Sequence, residues 1–197
     1  YKRESVLSYG DISTLSFHAT KLFHTIEGGA VITNNDEIAK NMRLMINFGI
    51  TSPTTIESIG INRKMNEFEA AMGLCVLDDI SLIIEKRKGV CSNYKQKLRN
   101  LVKFQEKSHH SSNNFSYFPI VMDSENQLLS IQKKLNQLQI FPRRYFRPSL
   151  NKLNYIERSQ VLPISEDISN RILCLPLSDS IEEKHQNIII NTIMDIL

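Results

Sequence analysis

Lys21 stands in the run Ser16-Phe17-His18-Ala19-Thr20-Lys21-Leu22-Phe23, after the apolar residues Ile12, Leu15 and Phe17 and before the pair Gly28-Gly29. A lysine amine becomes a nucleophile only where it is desolvated enough to lose its proton, and it then condenses with a carbonyl to a Schiff base. Ser16 and Thr20 place hydroxyls on either side of it, short and stiff donors suited to a phosphate group. Each of these residues also has an ordinary use. Most lysines are solvated surface charges, a strand serine can bond to its own backbone, and a glycine pair can simply form a tight turn. His18 reads best as a packed ring with one satisfied nitrogen. Residue types alone therefore leave open whether Lys21 carries chemistry.

The elements that must position Lys21 are legible from the pattern. Residues 11–17 and 28–33 read as strands on either side of the Lys21 segment. Asn34 or Asn35 caps a helix whose first turn holds Asp36 and Glu37, whose apolar face is Ile38, Met42, Met45 and Ile46, and which Gly49 ends. Residues 50–64 read as a polar connection containing Gly60. A helical pattern then runs from Asn66 to about Leu101, with Gly89 as the weak point of one long helix or the join between two. A strand is expected over Phe115–Met122, an amphipathic helix over 124–138, a short strand before the Arg143–Pro148 loop, a buried strand-like run over 172–177, and a closing helix from Ile181. Ser108 to Asn114 reads as an exposed loop.

Composition narrows the class. The chain has 197 residues, 41% hydrophobic and 23% charged, which is the balance of a globular protein. A formal charge of +3 without a basic block gives no support to nucleic-acid binding. Cys75, Cys91 and Cys174 are odd in number and far apart, so neither a disulfide framework nor a zinc site is expected, and a reducing cytoplasm is. His109 and His110 lack partners at metal-ligand spacing, so no metal is expected. The apolar run at the C-terminus is too short to span a bilayer, and no membrane association is anticipated.

Four stretches carry a resemblance. Gly10 to Ile50, GDISTLSFHATKLFHTIEGGAVITNNDEIAKNMRLMINFGI, is similar to the cofactor-lysine segment of the DegT/StrS-type sugar aminotransferases. Ile59 to Leu74, IGINRKMNEFEAAMGL, resembles the segment that follows in that family, and Arg143-Arg144-Tyr145-Phe146-Arg147-Pro148 and Ile172 to Leu177 resemble its C-terminal domain. The resemblance implies an α/β fold of type I: a partial pyridoxal-phosphate-binding large domain over 1–75, followed by a small α/β domain over 76–197. It implies pyridoxal 5'-phosphate as cofactor, carried by Lys21, whose freed amine then moves protons. Ser16 matches the family's phosphate-binding serine. Asn62 matches an asparagine that reaches across a homodimer interface to the partner's cofactor phosphate, although such a residue can also form an Asx-turn. Arg143, Arg144 and Tyr145 resemble a substrate-side loop, where forked guanidinium donors suit a diphosphate; a solvated basic loop is the plainer reading. A dehydratase branch of the family has histidine at the Lys21 position, so lysine here favours amino transfer.

The implied reaction moves an amino group from an amino acid, by family habit glutamate, to a keto nucleotide sugar. The Arg143–Pro148 loop resembles those acting on 4-keto-6-deoxyhexoses of the kind built into lipopolysaccharide O-antigens. The family's chains begin well upstream of Tyr1 and supply there an aspartate for the cofactor ring nitrogen. This sequence therefore reads as a C-terminal portion, acting with an N-terminal half or, alternatively, as an inactive remnant or dimerisation module of the same fold.

Overall fold

The computed structural model describes residues 1–157 and 160–197. The chain divides into two compact units, one of residues 1–81 and 108–114, the other of residues 82–107 and 115–197. The fold is mixed α/β.

In the first unit β1 (Ser13–Ser16) pairs antiparallel with β2 (Gly29–Ile32), in the register Ser13 to Ile32 and Ser16 to Gly29. Both strands are shorter than the sequence pattern suggests, because the backbone leaves the ladder as soon as the Lys21 loop begins. α1 (Asp36–Ile46) starts where Asn35 accepts the amide hydrogens of Glu37 and Ile38 at 2.9 and 3.0 Å. The stretch after α1 is more ordered than a polar connection. It holds a short hairpin, β3 (Ile50–Ser52) and β4 (Thr55–Ile56), with the Ser52 hydroxyl accepting from the Thr54 amide at 3.3 Å. Gly49 has a φ of +72° and is buried against Ser58, and a side chain at Gly60 would overlap the backbone of Phe48 and Gly49. This close crossing needs two glycines, and it leaves Asn47 bridged to Asn62.

α2 (Glu67–Lys97) is one unbroken helix of 31 residues. Gly89 does not interrupt it; a side chain there would meet open space, so the glycine costs propensity without bending the chain. Residues up to Ser81 belong to the first unit and the rest to the second.

The second unit is a three-stranded antiparallel sheet in the order β5 (Lys103–Phe104), β6 (Phe118–Val121), β7 (Ile172–Leu175). Phe118 pairs with Leu175 and Val121 with Ile172. Helices α3 (Glu125–Gln137), α4 (Pro163–Arg171) and α5 (Glu183–Met194) accompany it. Leu128, Ile131 and Leu135 of α3, and Ile189, Ile190 and Ile193 of α5, pack with Ile120, Leu173 and Tyr94 in one core. Their spacing of three and four residues is the helical stripe the sequence displays. Tyr94 is fully buried, and its hydroxyl donates to the Pro176 carbonyl at 3.0 Å; burial pushes the phenol well above its usual range. Where a short strand was expected before residue 143, only a single bridge between Arg143 and Cys174 forms. α4 has no apolar period to announce it. Pro163 opens it, and the Glu166 carboxylate reaches back to the Leu162 amide at 3.0 Å.

Three carboxylates of this unit lie below their ordinary range. Glu125 is lowered chiefly by the hydrogen bond from Arg144, Glu166 by the Leu162 amide and then by Lys152 and Asn151, and Asp167 by Arg171. Such groups stabilise the fold fully above their unfolded values of 4.5, 4.5 and 3.8. The contribution is lost as pH falls through the lower folded values. Two outcomes are expected in chemical denaturation followed by circular dichroism. The unfolding midpoint holds between about pH 7 and pH 5 and falls below about pH 4, less steeply in Glu125→Gln, because the protonation linkage then has one fewer carboxylate. Leu135→Ala lowers stability by about 2–5 kcal/mol, since it leaves a cavity in a sealed core; an effect under about 0.5 kcal/mol would contradict that packing.

Candidate active site

Lys21 sits in the loop of residues 17–28 that joins β1 to β2, and its side chain is exposed. The loop is closed at its base by backbone bonds: Phe17 N–H donates to the Gly28 carbonyl and Thr25 N–H to the Phe17 carbonyl, both at 2.9 Å. The rings of Phe17 and Phe23 meet edge to face at 4.9 Å. Thr25 is the buried centre, 2% exposed, with its hydroxyl donating to the Glu27 carbonyl. Two glycines make room for it. A side chain at Gly28, whose φ is +142°, would overlap the Thr25 hydroxyl, and a Cβ at Gly73 of α2 would lie 2.9 Å from the Thr25 methyl. The glycine pair thus does structural work: Gly28 admits Thr25, and a Cβ at Gly29 would lie 2.7 Å from the Leu15 carbonyl.

Around Lys21 the local bonds fix the backbone and leave the amine alone. Lys21 N–H donates to the His18 carbonyl at 2.9 Å. His18 Nδ1 accepts the Thr20 amide hydrogen at 3.2 Å and lies 2.9 Å from the Thr20 hydroxyl. That leaves Nε2 facing the Glu27 carboxylate at 3.5 Å, so the ring ties the two sides of the loop rather than packing in a core. Ser16 ends β1; its hydroxyl oxygen accepts the His18 amide at 3.4 Å and keeps its own proton to donate. Among the described residues, the Lys21 amine meets no carboxylate.

Asn62 lies in the same unit, exposed, with its side-chain oxygen accepting from Lys64 Nζ at 3.1 Å. The Arg143–Pro148 segment belongs to the second unit. There Arg144 is committed internally, donating at 2.8 Å both to Glu125 and to the Asn170 carbonyl. Arg147 joins the same carboxylate at 3.1 Å. Arg143 is exposed and donates to the Tyr145 hydroxyl, its guanidinium 5.5 Å from that ring. Tyr145 and Phe146 form one wall of a cavity of about 760 Å³, with Tyr117, Pro119, Val121, Ile172 and Cys174. Burial pushes the Cys174 thiol up, against a hydrogen bond from the Tyr145 backbone.

Thr25, Gly73, Glu27 and Glu125 support these segments and were not singled out from the sequence. Only Glu27 carried a local signal, its place beside Gly28-Gly29; the others act across long sequence separations. Among the described residues no group of three His, Cys, Asp or Glu side chains could hold a metal ion, and no helix is long and apolar enough to cross a membrane.

Residues 1–194 match the model of the DegT/DnrJ/EryC1/StrS aminotransferase family. The chain is 36% identical over 202 residues to a dTDP-4-amino-4,6-dideoxy-D-glucose transaminase of Shigella dysenteriae, spanning 98% of this chain and 54% of the relative. It is 27% identical to the GDP-perosamine synthase of Escherichia coli O157:H7, over 93% of this chain and 51% of the relative. Among solved structures it is similar to DesI, crystallised with its TDP-sugar product, at 29% identity and a TM-score of 0.85 over 96% of this chain and 50% of that one. It shares the fold of Helicobacter pylori PseC, an aminotransferase, at 23% identity and a TM-score of 0.88 over 100% of this chain and 56% of that one. The chain thus spans about half the length of the relatives it matches. With all but its last three residues matched in order, this chain belongs to the DegT/DnrJ/EryC1/StrS aminotransferase family.

Proposed function

We propose that this chain is the lysine-bearing portion of a pyridoxal-phosphate-dependent aminotransferase that passes an amino group from an amino acid, glutamate by family habit, to a keto nucleotide sugar. The carrying observation is the Lys21 amine, free of any carboxylate among the described residues, on a backbone-locked loop five residues after the Ser16 hydroxyl. These residues fit the cofactor: an unpaired primary amine suits its carbonyl and a hydroxyl suits its phosphate. The named relatives act on dTDP- and GDP-linked amino sugars, which supports the substrate class. A Streptococcus pneumoniae sugar aminotransferase of the same fold has been solved in a PLP-form, which supports the cofactor.

When bound, the cofactor supplies an electron sink for the carbon that loses its proton. Lys21 Nζ would hold the cofactor and, once displaced by the amino donor, move a proton between the donor's α-carbon and the cofactor. Ser16 Oγ would donate to the phosphate. Asn62 Nδ2 would donate to the phosphate held by a partner subunit, in a homodimer. In the second unit Arg143 would meet the substrate's diphosphate beside Tyr145, while Arg144, bound to Glu125 and Asn170, would hold that loop in place. Under this reading residues 1–75 are part of the large domain and residues 76–197 the small one. Exposed apolar side chains such as Ile59 (92%) and Phe68 (87%) are the kind of surface that further protein covers. The setting is bacterial surface-polysaccharide synthesis in the cytoplasm.

The test is intact mass after incubation with pyridoxal 5'-phosphate and reduction with borohydride. One adduct mapped to Lys21 and absent from Lys21→Ala is expected; labelling scattered over surface lysines, or none, would overturn Lys21 as the cofactor lysine of this chain. Gly73→Val should slow labelling at Lys21 by at least about tenfold, because displacing Thr25 shifts a reacting atom by a fraction of an ångström or more. Equal labelling rates would show that the loop does not depend on that contact.

A further inference from the structure

Lys64 Nζ lies 3.1 Å from the side-chain oxygens of both Asn47 and Asn62, and 4.7 Å from the centre of the Phe48 ring. An ammonium has donors and no acceptor, so it decides which end of each carboxamide faces it: both oxygens turn inward. Both NH2 groups are then presented away from Lys64, and among the described residues neither has an acceptor. The two asparagines cannot drift apart, since they face each other as a backbone bridge. Phe48 N–H also bonds to the Ile61 carbonyl at 3.2 Å, and Ile61 N–H to the Met45 carbonyl at 2.7 Å. Lys64 spends two of its three N–H groups on the amides and keeps one, together with its charge. Two preset amide donors beside one cation make a donor set suited to a phosphate group, whose oxygens accept several hydrogen bonds at once.

We propose that Lys64 is the positioning residue of this set, and that Asn47 is a second phosphate donor beside Asn62 for the cofactor's phosphate. The proposal rests on the reading of the chain as a pyridoxal-phosphate enzyme and deepens it. Lys64 acts through the asparagines by fixing their amides, and through its charge.

The test is a titration of the 15N-labelled chain, following the side-chain NH2 signals of Asn47 and Asn62, each assigned with its serine variant. Pyridoxamine 5'-phosphate is the main probe, because it carries the phosphate without an aldehyde to react with lysines. Inorganic phosphate, pyridoxamine and uridine diphosphate are the comparisons. Both NH2 signals should move together with pyridoxamine 5'-phosphate and with inorganic phosphate, and stay still with pyridoxamine. Lys64→Met should weaken both responses by about tenfold or more, while Lys64→Arg, which keeps charge and donors, should stay within about threefold of the parent. Silent signals with both phosphate probes, unchanged binding in Lys64→Met, or a response to uridine diphosphate alone would each overturn it. Borohydride labelling of Lys21 is independent of these signals. Labelling with silent amides refutes the Lys64 site alone, whereas responsive amides without labelling refute the Lys21 reading alone.

Discussion

The Lys21 loop depends on a steric constraint at Thr25. Twelve residues leave a short two-stranded ladder and return to it, and ordering them costs conformational entropy at every position. Little apolar burial offsets that cost, since among the described residues the first unit has no fully buried large hydrophobic side chain. What closes the loop is one small, stiff, buried side chain whose hydroxyl meets the Glu27 carbonyl and whose methyl faces Gly73 of α2. A β-branched residue has few rotamers with which to evade a clash. The contact therefore transmits the position of α2 to the backbone that carries Lys21.

The two units are stabilised by different means. In the second, three helical segments and a sheet share a sealed apolar core, and charged hydrogen bonds gather at Glu125 and Glu166. The first is held by glycine-mediated close approach, at Gly28 and Gly73 around the loop and at Gly49 and Gly60 behind Asn62. Backbone contacts of this kind fix geometry without burying much area. They suit segments whose side chains must stay available to something else.

Periodicity made the helices α1, α2, α3 and α5 legible, nearby glycines helped mark β1 and β2, and short apolar runs marked β6 and β7. The two-residue strands, the β3–β4 hairpin and α4 escaped because they are too short to repeat, and α4 is shaped by Pro163 and by a carboxylate reaching back to its start. Gly89 shows the opposite failure: a propensity penalty predicts a break, yet nothing crowds the helix there and it runs on. Lys21 and Ser16 drew attention through the local motif that carries the resemblance, in which they stand five positions apart. Thr25 with Gly73, and Arg144 with Glu125, pair residues 48 and 19 positions apart in the chain, and no local pattern joins them.

Arginines and lysines of one sequence segment can still be told apart by their partners. Arg144 meets a carboxylate and a carbonyl, and Arg87 donates to the carbonyls of Phe115 and Ser116; burial lowers its pKa, an effect its neighbours only partly oppose. A cation so engaged has little left to offer a ligand. Lys21 and Arg143 meet no carboxylate among the described residues, and Lys64 meets two neutral amide oxygens and the Phe48 ring. An exposed cation without an acid forfeits pairing energy, but a surface pair contributes little in any case. The same charge keeps its full interaction for an anion that arrives later. Within the motif Arg143-Arg144 the fold thus separates two chemically identical side chains, one that builds the loop and one that stays exposed and free of any carboxylate among the described residues.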